Sequence, residues 1–165
     1  MKVSSNEIPA TAVPSSYMFG TLTSDQIESL LHTEIVARIG YVDRRSLPCI
    51  VPVTYAYDGR AFYGYSPLGA KIEYMGAVPM VCVEVDRVRT AADWCSVIVR
   101  GLFRRLDGEA AVDAVDRISE RLRTVGSATS APPMAWRTFV TRTGDAGIAY
   151  RIDVTEKHGR YSSSG

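Results

Sequence analysis

The chain has 165 residues, of which 46% are hydrophobic and 22% charged, and its formal net charge is +1. That length suits one domain around one core, and the even charge balance argues against a dedicated nucleic-acid binder, while leaving room for a small basic pocket around one anion. No apolar run approaches the roughly 18–20 residues of a membrane-spanning helix, and the N-terminal MKVSSNEIPATAVPSSYMFG lacks the apolar segment of a signal peptide.

Residues 1–19, rich in Ser, Pro, Ala and Thr, read as a flexible N-terminal arm. A single domain is expected over 20–160, with a short tail at 161–165. LTSDQIESLLHT predicts a helix: Thr23 with Gln26 fits a capping box, and Ile27, Leu30 and Leu31 give one apolar face. The period then changes. Strand patterns run over 34–43, 48–57, 60–66, 79–86, 94–106 and 147–155, six in all, with Asp58-Gly59 as a hairpin signal. A helix is predicted over 109–123, with Ala111, Val115, Ile118 and Leu122 along one side, followed by an irregular linker at 124–136.

Six hairpin-connected strands with helices at the edges make a mainly β fold, and an antiparallel barrel hides the edges of such a set. The 48–57 segment is apolar on both faces. Val51, Val53 and Tyr55 point one way, and Ile50, Pro52 and Ala56 the other. It therefore needs cover from a helix, a ligand or another subunit. Pro52 removes one backbone donor, which places its strand at an edge or an interruption. Cys49, Cys82 and Cys95 form an odd set inside apolar runs, as buried free thiols in a reducing cytoplasm would. No CxxC or Cys/His spacing suggests a metal site, and the only histidines are His32 and His158.

The stretch FYGYSPLGAKIEYM (62–75) runs from an aromatic strand through a loop of small residues to Lys71, at the front of a helical pattern. The GxxxxGK[ST] spacing of a nucleotide-triphosphate loop is absent, because Ile72 follows Lys71. The local physics is still that of an anion site. Backbone N–H groups at a helix start, the Ser66 hydroxyl and a cation converge there. A lysine in the first turn opposes the helix dipole, and a bound phosphate offsets that cost. The plainer alternative is a solvated surface lysine on a helix that buries Ile72 and Met75.

Several motifs occur here in a recognisable order: Pro52-Val53, Asp58-Gly59, Tyr63 to Ser66, Gly69-Ala70-Lys71, Val81 to Asp86, and Trp94-Cys95-Ser96-Val97. Over roughly residues 20–160 the chain thereby resembles the FMN-binding split barrels of the pyridoxamine 5'-phosphate oxidase-like superfamily, closest to its flavin-nucleotide-binding and nitroimidazole-resistance-like branch. The resemblance implies a six-stranded antiparallel split β-barrel, homodimeric, with FMN at the subunit interface. It implies that Lys71 and Ser66 hold the phosphate. It also implies that Val51, Pro52, Val53 and Thr54 lie along the flavin ring, with Tyr65, Trp94 and Ser96 completing the site, Trp94 and Ser96 from either subunit. The implied activity is FMN-dependent oxidation or reduction of a small molecule, with NADH or NADPH as a candidate donor. The alternative is a non-catalytic flavin, haem or deazaflavin carrier of the same fold. The chain departs from the family pattern at Ala70, Gly76 and Val78, where members often carry basic or polar residues. Arg100, Arg104 and Arg105 read either as contacts for an anionic substrate or as barrel surface, Trp136 as interface packing, and His158 as part of a polar segment.

Overall fold

The computed structural model describes residues 17–126 and 147–164. The strands are β1 (Tyr17–Thr21), β2 (Val36–Val42), β3 (Pro48–Thr54), β4 (Ala56–Tyr57), β5 (Ala61–Ser66), β6 (Met80–Thr90), β7 (Asp93–Leu106) and β8 (Ile148–Ser164). The helices are α1 (Ser24–Thr33), α2 (Ala70–Ala77) and α3 (Gly108–Gly126). The pairings are antiparallel, in the order β3-β2-β6-β7-β8-β5-β4, and β1 adds to β8. The sheet curls without closing. β3 and β4 end its path, and the architecture is a split barrel.

Eight strands replace the six expected, for two reasons. The 48–57 segment breaks at Tyr55, which turns its ring into the core at 2% exposure and donates its hydroxyl to the Leu31 carbonyl at 2.9 Å. In addition, β1 begins inside the residues read as an arm. The β8 strand also runs far past residue 155, through Tyr161–Ser164, which were read as a tail. A bulge hides this in the sequence. The β7–β8 register steps from Arg100↔Glu156 to Gly101↔Val154 and leaves Thr155 unpaired, with its hydroxyl donating to the Arg100 carbonyl at 3.0 Å. Even-numbered residues face inward before the bulge (Tyr150, Ile152) and the odd-numbered Gly159 after it. The alternation therefore loses phase at 155 while the strand continues.

The barrel interior is filled by Ile39, Phe62, Val83, Val85, Val97, Val99, Phe103, Tyr150 and Ile152. Helix α1 starts at the expected capping box, with both reciprocal bonds present, and buries Ile27, Leu30 and Leu31. Helix α2 buries Ile72 and Met75 completely. Helix α3 packs outside, on β5 and β8. The centre of its buried face is Ala114 with Ile118, at 0% and 1% exposure, so the expected stripe is rotated toward Ala114. Pro52 lies in the terminal strand β3, at an edge as expected. The three cysteines are free but only half-buried. Cys82, in register with Gly40 and Arg100, lies on the outer face of the sheet rather than in the core. The arm over 1–16, most of the 124–136 linker and Trp136 lie outside the described residues.

The Tyr55 hydroxyl is the buried tie between the β3–β4 break and the end of α1. Tyr55→Phe leaves the Leu31 carbonyl without this donor and should cost about 1 kcal/mol, read as a lower urea midpoint at unchanged slope.

Candidate functional site

Two strand edges define the split. Among the described residues no strand pairs with the second edge of β3. Strand β5 meets β4 only at Phe62 and Tyr63, so Gly64–Ser66 have no strand partner on that side either. Those backbone groups along Val51–Thr54 that point away from β2, apart from the N–H that Pro52 lacks, are thus free to pair with a flat polar ligand edge. Val51 and Val53 pack against the core from this strand, Thr54 is half-buried, and Pro52 is exposed on the outer face.

From Ser66 the chain crosses a short loop and enters α2. Gly69 caps the helix without any side-chain hydrogen bond, and its carbonyl accepts from Ile72 at 3.0 Å and Glu73 at 3.2 Å. The Ala70 and Lys71 N–H groups stay outside the helical ladder. The Lys71 side chain is half-buried, and it has neither an ion pair nor a hydrogen bond among the described residues. Burial alone lowers its pKa. The one acidic residue in the same turn, Glu73, is drawn instead to Arg44 at 3.0 Å, and Arg44 also lies 5.7 Å from the Tyr74 ring centroid. Among the described residues, a half-buried cation beside unused helix donors therefore faces no countercharge. That arrangement suits a phosphate.

Ser66 is at the inner end of β5, 2% exposed, with its hydroxyl donating to the Pro67 carbonyl at 3.0 Å. Tyr65 points to the opposite face. With Tyr63 it looks toward α3, and its phenol end lies so close to Gly147 that a Cβ there would overlap it. Tyr65 and Ser66 thus serve different surfaces.

Trp94 and Ser96 are on the outer face of β7, with partners on β1 and β6 rather than on α2. The Trp94 and Phe19 ring centroids are 6.4 Å apart, and the Ser96 hydroxyl donates to Glu84 at 2.9 Å. Cross-strand rows Pro52–Arg38–Glu84–Ile98 and Ile50–Gly40–Cys82–Arg100 run across this outer face. Ile50 is 71% exposed, Val88 64% and Ile98 48%. Its concave part is a groove of about 690 Å³ lined by Pro48, Ile50, Met80 and Cys82, with Arg38 at its rim. Arg38 pairs with both Glu84 at 2.9 Å and Asp86 at 2.6 Å. Sequence reasoning missed Arg38. Its signal is the shared outward phase of Arg38, Glu84 and Asp86, which becomes visible only once β2 and β6 are known to be neighbours.

Of the undecided residues, Arg100 pairs with Glu156 at 2.8 Å and Arg104 with Asp153 at 2.8 Å, while Arg105 is exposed. His158 is 2.6 Å from Glu156, and the ring of His32 meets that of Tyr57 at a tilt of 55° with centroids 5.0 Å apart. Among the described residues no group of His, Cys, Asp or Glu is arranged to hold a metal ion, and no helix is long and apolar enough to cross a membrane.

The family model described as pyridoxamine 5'-phosphate oxidase matches residues 23–160. A curated relative, the uncharacterized protein RA0666 of Rhizobium meliloti, is 36% identical over 63 residues, covering 38% of this chain and 42% of the relative. The match thus spans less than half the length of that relative. Among solved structures, a FAD-binding protein of Mesorhizobium loti is 26% identical with a TM-score of 0.68, covering 87% of this chain and 98% of that one. A Bacteroides thetaiotaomicron protein assigned to 5-nitroimidazole antibiotic resistance shares the fold at 19% identity and a TM-score of 0.66, over 88% and 89% of the two chains. An F420 reductase shares it at 17% identity and a TM-score of 0.57, over 79% and 94%.

The state of Lys71 can be checked without any ligand. Its folded pKa lies below the ordinary lysine value of 10.5, so between the two the unfolded chain binds more protons and stability rises with pH. Lys71→Met removes that rise and makes the ligand-free protein more stable at neutral pH. Parallel urea titrations from pH 7 to above the lysine range should show the two stabilities converging as pH increases.

Proposed function

The chain belongs to the pyridoxamine 5'-phosphate oxidase family, and from that premise we propose that it binds FMN at the split between β3 and β5 and serves as an oxidoreductase for a small molecule. The observation that carries this reading is Lys71, a half-buried cation without a protein partner among the described residues, at an uncapped helix start. In this reading Lys71 and the Ala70 and Lys71 N–H groups hold the phosphate. Ser66 supports the loop through its bond to the Pro67 carbonyl. The free backbone edge of Val51–Thr54 pairs with the polar rim of the flavin ring, and Val51 and Val53 pin that edge to the core. The flavin, when bound, supplies two-electron chemistry that none of these side chains provides. The protein binds, orients and shields, and a nicotinamide is the proposed electron donor.

A second copy of the chain covers the outer face in this reading. The exposed Ile50, Val88 and Ile98 give it an apolar centre. Trp94 and Ser96, remote in their contacts from α2, would then serve the site of the partner subunit. Non-catalytic carriage of the same cofactor is the competing function.

FAD is a second reading of the cofactor. The 26%-identical Mesorhizobium loti protein, matched over 98% of its length, is a FAD-binding protein. Around α2 the small residues leave space, since a Cβ at Gly69 or Gly76 would meet nothing within 4 Å. Ala70 and Val78 are exposed.

An absorption spectrum of the purified protein, followed by mass analysis of the cofactor released on denaturation, decides between FMN and FAD. Lys71→Glu should weaken flavin binding at least tenfold in a fluorescence titration, and unchanged affinity would remove Lys71 from the phosphate site. Ile50→Asp combined with Ile98→Asp should convert the dimer to monomer by light scattering and lower flavin retention with it. Steady-state oxidation of NADH or NADPH by the loaded protein separates enzyme from carrier.

A further inference from the structure

Tyr150 has an unusual place for a core aromatic. It is 2% exposed, with its ring 5.3 Å from that of Phe103, yet its hydroxyl has no hydrogen-bond partner among the described residues. Buried hydroxyls are normally paired, and an unpaired one is costly. Packing alone does not account for it, because phenylalanine would fill the same volume against the same apolar neighbours.

The direction of the side chain is informative. Tyr150 stands opposite Gly64 in the β5–β8 register. Its ring extends across β5 and lies on the bare backbone of Gly64, where an ideal Cβ would sit 2.2 Å from Tyr150 Cζ and 2.3 Å from the hydroxyl oxygen. Any other residue at position 64 would occupy that path. Gly64 is also the first residue of β5 beyond the β4 pairing, so the hydroxyl is carried from β8 toward the strand edge that borders the split. The next inward residue, Ser66, offers no donor in return, since its hydroxyl is spent on the Pro67 carbonyl. Burial pushes the Tyr150 pKa upward, so the phenol stays protonated and is a donor.

We propose that the Tyr150 hydroxyl donates a hydrogen bond to the bound flavin, reaching the split through the gap in side chains that Gly64 provides. The inference rests on the flavin reading above and adds to it a contact from inside the barrel. It also compensates for Ala70, Gly76 and Val78, where polar contacts from the α2 side are missing.

The test is Tyr150→Phe, which keeps the ring and its contact with Phe103. Flavin affinity is measured by fluorescence titration with FMN and with FAD, and melting temperature with and without flavin. The expected result is about tenfold weaker binding of the preferred flavin, a shift of its visible absorption band, and a melting temperature without flavin equal to or above that of wild type. Wild-type affinity in Tyr150→Phe overturns this contact and leaves the flavin site standing. A lower flavin-free melting temperature at unchanged affinity overturns it too, by giving the hydroxyl a purely structural bond. If the wild type itself takes up neither FMN nor FAD, both readings fall.

Discussion

The unclosed sheet is the constraint on which the rest depends. A curled antiparallel sheet that stops short of closure leaves two edges with unpaired backbone groups, and such edges must be covered, shortened or given a partner. Here one edge is a proline-bearing strand, β3, and the other is the short β4 with the bare end of β5. The loop between β5 and α2 departs from that bare end, which sets the start of α2, and Lys71 with it, beside an opening already rich in unused backbone donors and acceptors. The chemistry of the site is therefore a consequence of topology. A flat ligand with a polar rim and an anionic tail answers both deficits together, one along the strand edge and one at the helix start.

The outer face follows a different logic. A monomer seldom leaves several large aliphatic side chains more than half exposed on one sheet face. Ile50 and Val88 do this here, and between them Arg38 is held by two carboxylates while Ser96 braces one of these. Each member of the polar strip already has its hydrogen bonds within one subunit. The strip can thus be covered without leaving a buried charge unpaired, the costliest outcome when ionic groups are buried.

Much of this was legible in the residues. Thr23 with Gln26 gave the start of α1, Asp58-Gly59 gave the hairpin, and Pro52 marked an edge strand. In each case the information is local, set by one turn or one backbone donor. What was hidden depends on distant partners. The phase change at Thr155 reads as the end of a strand unless β8 is known to bulge there against β7. Ala114 is small enough to look incidental until β5 and β8 are packed on α3. The three cysteines look alike in their apolar runs, but Cys95 packs against the core while Cys82 falls on the outer face, a difference set by strand register. At the candidate site the Lys71 loop was visible as a motif. Arg38 was not, because it becomes significant only through strand pairing.

Strand β8 pairs with β7, β5 and β1, and in the chain it follows all three. During synthesis on the ribosome, β1 and the β5 edge that β8 will occupy remain unsatisfied until residues 148–164 emerge. The long-range pairings that complete the barrel are thus deferred to a single late event, in which one strand zips along three waiting partners. Such a chain is exposed to aggregation for most of its translation. Any factor that shields nascent strand edges would have its largest effect on yield in that interval.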